Sequence, residues 1–236
     1  MSVGRLTSIR RYPVKSMTGE VLDSADVEHR GLAGDRLWSL RDPDGKFGSG
    51  KSSRRFRAMP GLMDLVARYD GDVPVIELPD GPVVRGDDPA VHAVMSAYVG
   101  RQVTLGREDG VSHFDDGPVH LVTTASLTTL SRHHGSSVDV RRFRPNLLVD
   151  TGNADGFVEQ DWLGRELTVG DVVLRVAQPM PRCVMVTQPQ RDLPPDDGLL
   201  RRVTDVAGMD FGVLAEVVTP GRIAVGDPVS LRTAAG

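Results

Sequence analysis

Apolar and polar residues alternate along much of this chain, more often with the two-residue period of a strand than with the 3.6-residue period of a helix. "GRLTSIRRYPV" (4–14), "VLDSADVEH" (21–29), "RLWSLRD" (36–42), "LMDLVARYD" (62–70) and "VPVIELP" (73–79) each read as strands. Between them, "GLAG" (31–34), "DPDG" (42–45) and "PDGP" (79–82) supply the fixed or positive φ that a reversal requires. The period then changes. "DDPAVHAVMSAYVG" (87–100) predicts a helix that opens on Asp and Pro and closes on Gly100, before a strand in "RQVTLGR" (101–107).

Residues 108–117, "EDGVSHFDDG", are poor in apolar side chains and rich in acids and glycine, which marks a crossing between two domains, 1–108 and 109–236. Beyond it, "VHLVT" (119–123) predicts a strand running into a helix, "TASLTTLSRHHG" (124–135). Thr124 or Ser126 would cap that helix, and His133 and His134 would sit near its negative end. "PNLLVD", "ELTVG", "VVLRVAQPM", "FGVLAEVV" and "GDPVSLR" add strands, interrupted by a helix in "DGLLRRVTDVAG" (197–208). The fold expected is mainly β with some α: a β-barrel domain with a smaller β-rich domain at the N-terminal side.

Composition narrows the chemistry. With 236 residues, 39% of them hydrophobic, the chain can bury a sizeable core, and its 26 glycines and 16 prolines suit many short elements. A formal net charge of -4 argues against general nucleic-acid binding. The basic run "KSSRRFR" (51–57) reads as solvated surface or as a local anion patch. No segment approaches the roughly 18–20 apolar residues of a membrane span, and the start lacks an apolar signal core, so the expected compartment is the cytoplasm. The six histidines lack zinc-site spacing, and no GxGxxG, HExxH or GxSxG motif occurs. One cysteine, Cys183, can form neither an internal disulfide nor an iron–sulfur site. Alone it reads as a small buried hydrophobe, or as a thiolate favoured by neighbouring Arg182. Nearly every basic residue is Arg, which makes the three lysines, Lys15, Lys46 and Lys51, informative where a point charge is needed.

Four separated motifs, "YPVKS" (12–16), "GLAGDRLW" (31–38), "FRPN" (143–146) and "RC" (182–183), together with "TASL" and the closing "GRIAVGDPVSL" (221–231), resemble the MOSC proteins that carry an N-terminal β-barrel domain. The likeness extends to the mitochondrial amidoxime reducing components and their bacterial relatives. It implies a molybdenum cofactor (Mo-molybdopterin) with Cys183 as the protein's ligand to the metal and its catalytic residue. Lys15, Ser16 and Arg36 would reach the cofactor from the N-terminal half, and Arg144, Asn146 and Arg182 from the other. Where the family has small hydroxyl residues, this chain has "DDGP" (115–118), so backbone amides or Thr123 would stand in. The segment "TQPQRDLPPDDG" (187–198) also departs from the family on the substrate side. The resemblance further implies reduction of a small N-hydroxylated substrate with electrons from a separate ferredoxin-like or reductase protein. The alternative is a carrier in which Cys183 bears a persulfide or holds the cofactor without turnover.

Overall fold

The computed structural model describes residues 1–79 and 81–232, so that Asp80 of the expected "PDGP" turn lies outside the described residues. Seven strands close into a barrel: Ser2–Arg11, Leu147–Asp150, Val119–Thr123, Asp210–Thr219, Val172–Pro181, Glu166–Val169 and Pro228–Leu231, in spatial order, the last pairing back on the first. All neighbours are antiparallel except Val119–Thr123 and Leu147–Asp150, whose parallel pairing needs a crossover. Helix Thr124–His134 supplies it. Inward side chains of every strand, among them Leu6, Leu121, Val149, Leu167, Leu174, Val213 and Val229, fill the barrel as one apolar cluster. The alternation read from the sequence places them there.

The first strand begins the chain yet completes a barrel built otherwise from residues beyond 118. Irregularities of register after Ser2 and after Leu6 let it lean on Pro228–Leu231 at its start and on Leu147–Asp150 further along. Bulges of this kind increase local twist and allow a short sheet to close. Its far end then runs directly into the residues that follow Arg11.

The rest of the first half forms a second core. Strands Val66–Asp70, Val73–Glu77 and Val83–Arg85 make one small sheet, and Thr104–Arg107, Trp38–Arg41, Phe47–Ser49 and Phe56–Ala58 another. Leu40, Leu65, Ile76, Val91 and Met95 lie in the apolar cluster between them, the last two on helix Val91–Val99. A third cluster holds helix Thr124–His134 against helix Leu199–Ala207 through Leu130, Leu199, Val203 and Phe211.

Several local expectations are corrected. "VLDSADVEH" breaks at Asp23 into Glu20–Leu22, which pairs with the first barrel strand, and Ser24–Glu28, which pairs with Gly221–Ala224. Leu62–Asp64 is a single 3-10 turn rather than strand, and its adjacent apolar residues Leu62 and Met63 are both buried instead of alternating between core and solvent. The helix cap is Thr123, not Thr124 or Ser126: its extended backbone leaves Oγ1 to accept from Ser126 N. No helix among the described residues is long and apolar enough to cross a membrane.

Leu6 is fully buried between two barrel neighbours, whereas Val21, on the strand outside the closed ring, is 60% exposed. Leu6→Ala should lower the unfolding free energy by about 2–5 kcal/mol, the range for a buried leucine that leaves a cavity. Val21→Ala should change it by no more than about 0.5 kcal/mol. Urea denaturation of the two variants measures both.

Candidate functional site

Three of the sequence motifs meet at Tyr12, the residue that follows the first barrel strand. Its amide donates to Asp35 Oδ1 at 2.7 Å, its hydroxyl donates to the carbonyl of Pro145 at 3.1 Å, and its carbonyl accepts from Arg36 N at 2.6 Å. The guanidinium groups of Arg36 and Arg144 lie over its ring, 4.6 and 4.3 Å from the centroid. Arg36 pairs with the buried Asp35 and donates from Nη2 to the carbonyl of Arg144 at 3.2 Å, while Arg144 Nη2 donates to Met17 O at 2.7 Å. Burial lowers Arg144 to about 10, so it stays charged at neutral pH.

These groups line a cleft of about 240 Å³ between the two halves. Lys15, Ser16, Arg36, Arg144, Asn146, Arg182 and Cys183 all contribute to its wall. Three of them, Ser16, Arg36 and Arg144, hold positive φ (65°, 49° and 54°) without being glycine. Such backbone costs of order 1–3 kcal/mol and persists where surrounding structure imposes it, often at functional sites.

Six cationic side chains line the cleft against two carboxylates, Asp115 and Asp116. Lys15 is buried, donating to His113 O at 2.8 Å and to Asp115 Oδ1 at 2.6 Å. Burial lowers its ammonium to about 8 against the opposing pull of Asp115. Arg182 is buried too; Nη2 donates to Phe143 O at 2.8 Å, and its Nε and Nη1 have no acceptor among the described residues. Arg142 reaches the carbonyls of Val186, Gln188 and Pro194, tying down the segment that follows Cys183.

Cys183 is partly exposed and caps a short 3-10 turn, Val184–Thr187. Lys51 Nζ donates to its Sγ at 3.7 Å. The lysine reaches this position because Gly50 lies against the cysteine loop: a side-chain carbon at Gly50 would overlap Gln188 Oε1 and Met185 Sδ, and Gln188 Nε2 donates to Gly50 O at 2.7 Å.

Thr123 is a correction. It does not line the cleft; its hydroxyl donates to buried Glu159 at 2.7 Å and caps the helix, so it cannot replace the missing hydroxyl residues. Asn146 lines the wall, but its amide is bound to backbone, accepting from His120 N at 3.1 Å and donating to Arg10 O at 3.2 Å. Sequence reasoning offered the 115–118 segment only through its backbone amides, and did not assign the side chains of Ser49, Lys51, Asp115, Asp116, His120 or Arg142 to the site. Of these, Lys51 carried a signal, as one of three lysines in an arginine-rich chain and the first residue of "KSSRRFR".

Fold and site define a closed β-barrel with a second β-rich core, and between them a cationic cleft around one thiol. The sequence profile described as the MOSC domain matches residues 102–230, and that described as the MOSC N-terminal beta barrel domain matches residues 3–111. The chain belongs to the MOSC family. Mitochondrial amidoxime reducing component 2 of Bos taurus is 24% identical over 293 aligned positions, taking in 96% of this chain and 83% of that protein. Mitochondrial amidoxime-reducing component 1 of Homo sapiens is 28% identical over 142 positions, 52% of this chain and 40% of that protein. The crystal structure of the YUAD protein of Bacillus subtilis superposes with a TM-score of 0.51 at 12% identity, over 97% of this chain and 94% of that one, a likeness of fold.

The Lys15 ammonium gives the cleft a pH dependence. Its proton is lost near pH 8, and an anion binds the protonated form more tightly, so affinity falls as pH rises through that value. Sulfate, whose own charge is constant over this range, should bind about tenfold more weakly at pH 9 than at pH 7, on the scale of one partly buried charge contact. Lys15→Met should bind weakly at both. Titration calorimetry at the two pH values checks it.

Proposed function

We propose that this chain is a molybdenum-cofactor-binding oxidoreductase that reduces small N-hydroxylated compounds, with electrons from a separate ferredoxin-like or reductase protein. The observation that carries the reading is the cleft: a lone accessible thiol set among six cationic side chains, in a chain whose net charge is negative. The names of the relatives support the N–O substrate class.

The residues present fit such a cofactor. A thiolate is a soft ligand suited to a metal that brings its other sulfur ligands with it. Buried donors without acceptors cost about 1–3 kcal/mol each, and Arg182 carries two, Nε and Nη1, beside the thiol's own backbone. An anionic, oxygen-rich ligand in the cleft would satisfy them. When bound, the cofactor supplies a two-electron molybdenum centre able to take up the oxygen of an N–O bond.

The chain's own residues do the holding. Cys183 gives its sulfur to the metal, and the loop carrying it is fixed by Arg142. Lys15, Ser16, Arg36 and Arg144 hold the phosphate and pterin, the arginines as planar forks and the lysine as a point charge. Asn146 acts through His120, whose backbone it fixes. In the net reaction the N–O bond breaks, two electrons from the donor protein and two protons are consumed, and the N–H compound and water leave.

Elemental analysis of protein purified from a host that makes the cofactor tests this directly. The expected result is stoichiometric molybdenum and reduction of an N-hydroxy compound with an artificial electron donor. Cys183→Ser should lose both while its thermal unfolding midpoint stays within a few degrees of wild type. A labile sulfane sulfur on Cys183, or bound cofactor with no turnover, would establish the carrier instead and overturn the oxidoreductase.

A further inference from the structure

The cations of the cleft are not equally free. Lys15 is engaged by a carboxylate and a carbonyl, Arg36 by Asp35 and the Arg144 carbonyl, Arg142 by three carbonyls, Arg144 by Met17 O, and Arg182 by Phe143 O. Lys51 differs. Among the described residues its ammonium has no oxygen partner, and one of its three N–H donors is directed at Cys183 Sγ. Beyond that bond the ammonium lies 5.6 Å from the centroid of the Phe56 ring, so its other donors stand beside the sulfur with no oxygen acceptor among the described residues. Of the two carboxylates in the wall, Asp115 is taken by Lys15, and Asp116 forms no ion pair with Lys51.

Resting on the oxidoreductase reading, we infer that Lys51 is a specificity residue that selects substrates bearing an anionic group, a carboxylate or comparable oxyanion, close to the N–O function. A group bound at the reacting position next to Cys183 must pass or displace the water around that ammonium. A neutral substrate leaves the charge poorly solvated, whereas an anionic one replaces the lost water with a charge-assisted hydrogen bond. Positively charged substrates meet repulsion from the whole wall. The position is held from below by the contact of Gly50 with Met185 and Gln188, so Lys51 does not depend on its own flexible side chain alone to reach the site.

The test compares an aryl amidoxime with its ring-carboxylate analogue on the molybdenum-loaded protein, and measures direct binding of benzoate by calorimetry. Wild type should favour the carboxylate analogue at least about tenfold in kcat/KM, the effect of one charge-assisted contact. Lys51→Met should abolish that preference mainly through KM, lose benzoate binding and keep its molybdenum, while Lys51→Arg should retain the preference. Equal kcat/KM ratios in wild type and Lys51→Met would overturn the inference, as would loss of molybdenum from Lys51→Met, which would make the lysine a cofactor ligand. Failure of both substrates to react would count against the oxidoreductase reading, while benzoate binding would still decide the role of Lys51.

Discussion

The placement of Tyr12 is the constraint on which the cleft depends. Two guanidinium groups, one from each half of the chain, lie over one buried phenol ring. In water such a juxtaposition of like charges would have no reason to form. Here the ring faces attract both cations, by about 2 kcal/mol for a desolvated pair, and Asp35 neutralises one of them. Arg144 is left as the uncompensated charge, and it is held at a backbone conformation that side chains rarely adopt. The phenol joins "GDR" to "FRPN" through its ring, and the Arg36 bond to the Arg144 carbonyl is the one side-chain link made beside it among the described residues.

How the other cations are held explains why the wall stays positive. Arg142, Arg144 and Arg182 are oriented by backbone carbonyls rather than by carboxylates. A carbonyl dipole fixes the direction of an N–H without cancelling the charge behind it, so the field in the cleft is preserved for a ligand. Surface arginines of the same chain are treated differently: Arg57, Arg85 and Arg141 each pair with two carboxylates and contribute little field beyond their own surroundings. A protein with net charge -4 thereby keeps a locally positive cleft.

Much of this was legible in the sequence, and the part that was not has physical reasons. Period-two alternation located the barrel strands because one face of each is buried, and "YPVKS", "GDR", "FRPN" and "RC" named the residues that share the cleft. The three-residue strands Phe47–Ser49 and Phe56–Ala58 are too short to show a period. Thr123 misled because a hydroxyl at the end of a strand serves a helix cap as readily as a ligand, and only the position of Glu159 decides which. Lys51 lies 132 residues from Cys183. Their proximity depends on a glycine that lets two loops touch, and no local pattern encodes such an approach.

The topology also bears on how the cleft works. The first strand belongs to the barrel, and the segment that leaves it carries Tyr12, Lys15 and Ser16 to the wall before returning to pair again as Glu20–Leu22 and, through Ser24–Glu28, with Gly221–Ala224. Both ends of the segment are therefore stitched to the half that carries Cys183. Opening the cleft as a hinge between two bodies would require breaking barrel hydrogen bonds and the ring contacts of Tyr12 together. A wall built in this way is pre-organised, which favours tight and lasting retention of a ligand by groups already in place. On the oxidoreductase reading, such a wall suits a resident cofactor, and selection among substrates would fall to side chains at the edge of the sulfur, where Lys51 stands.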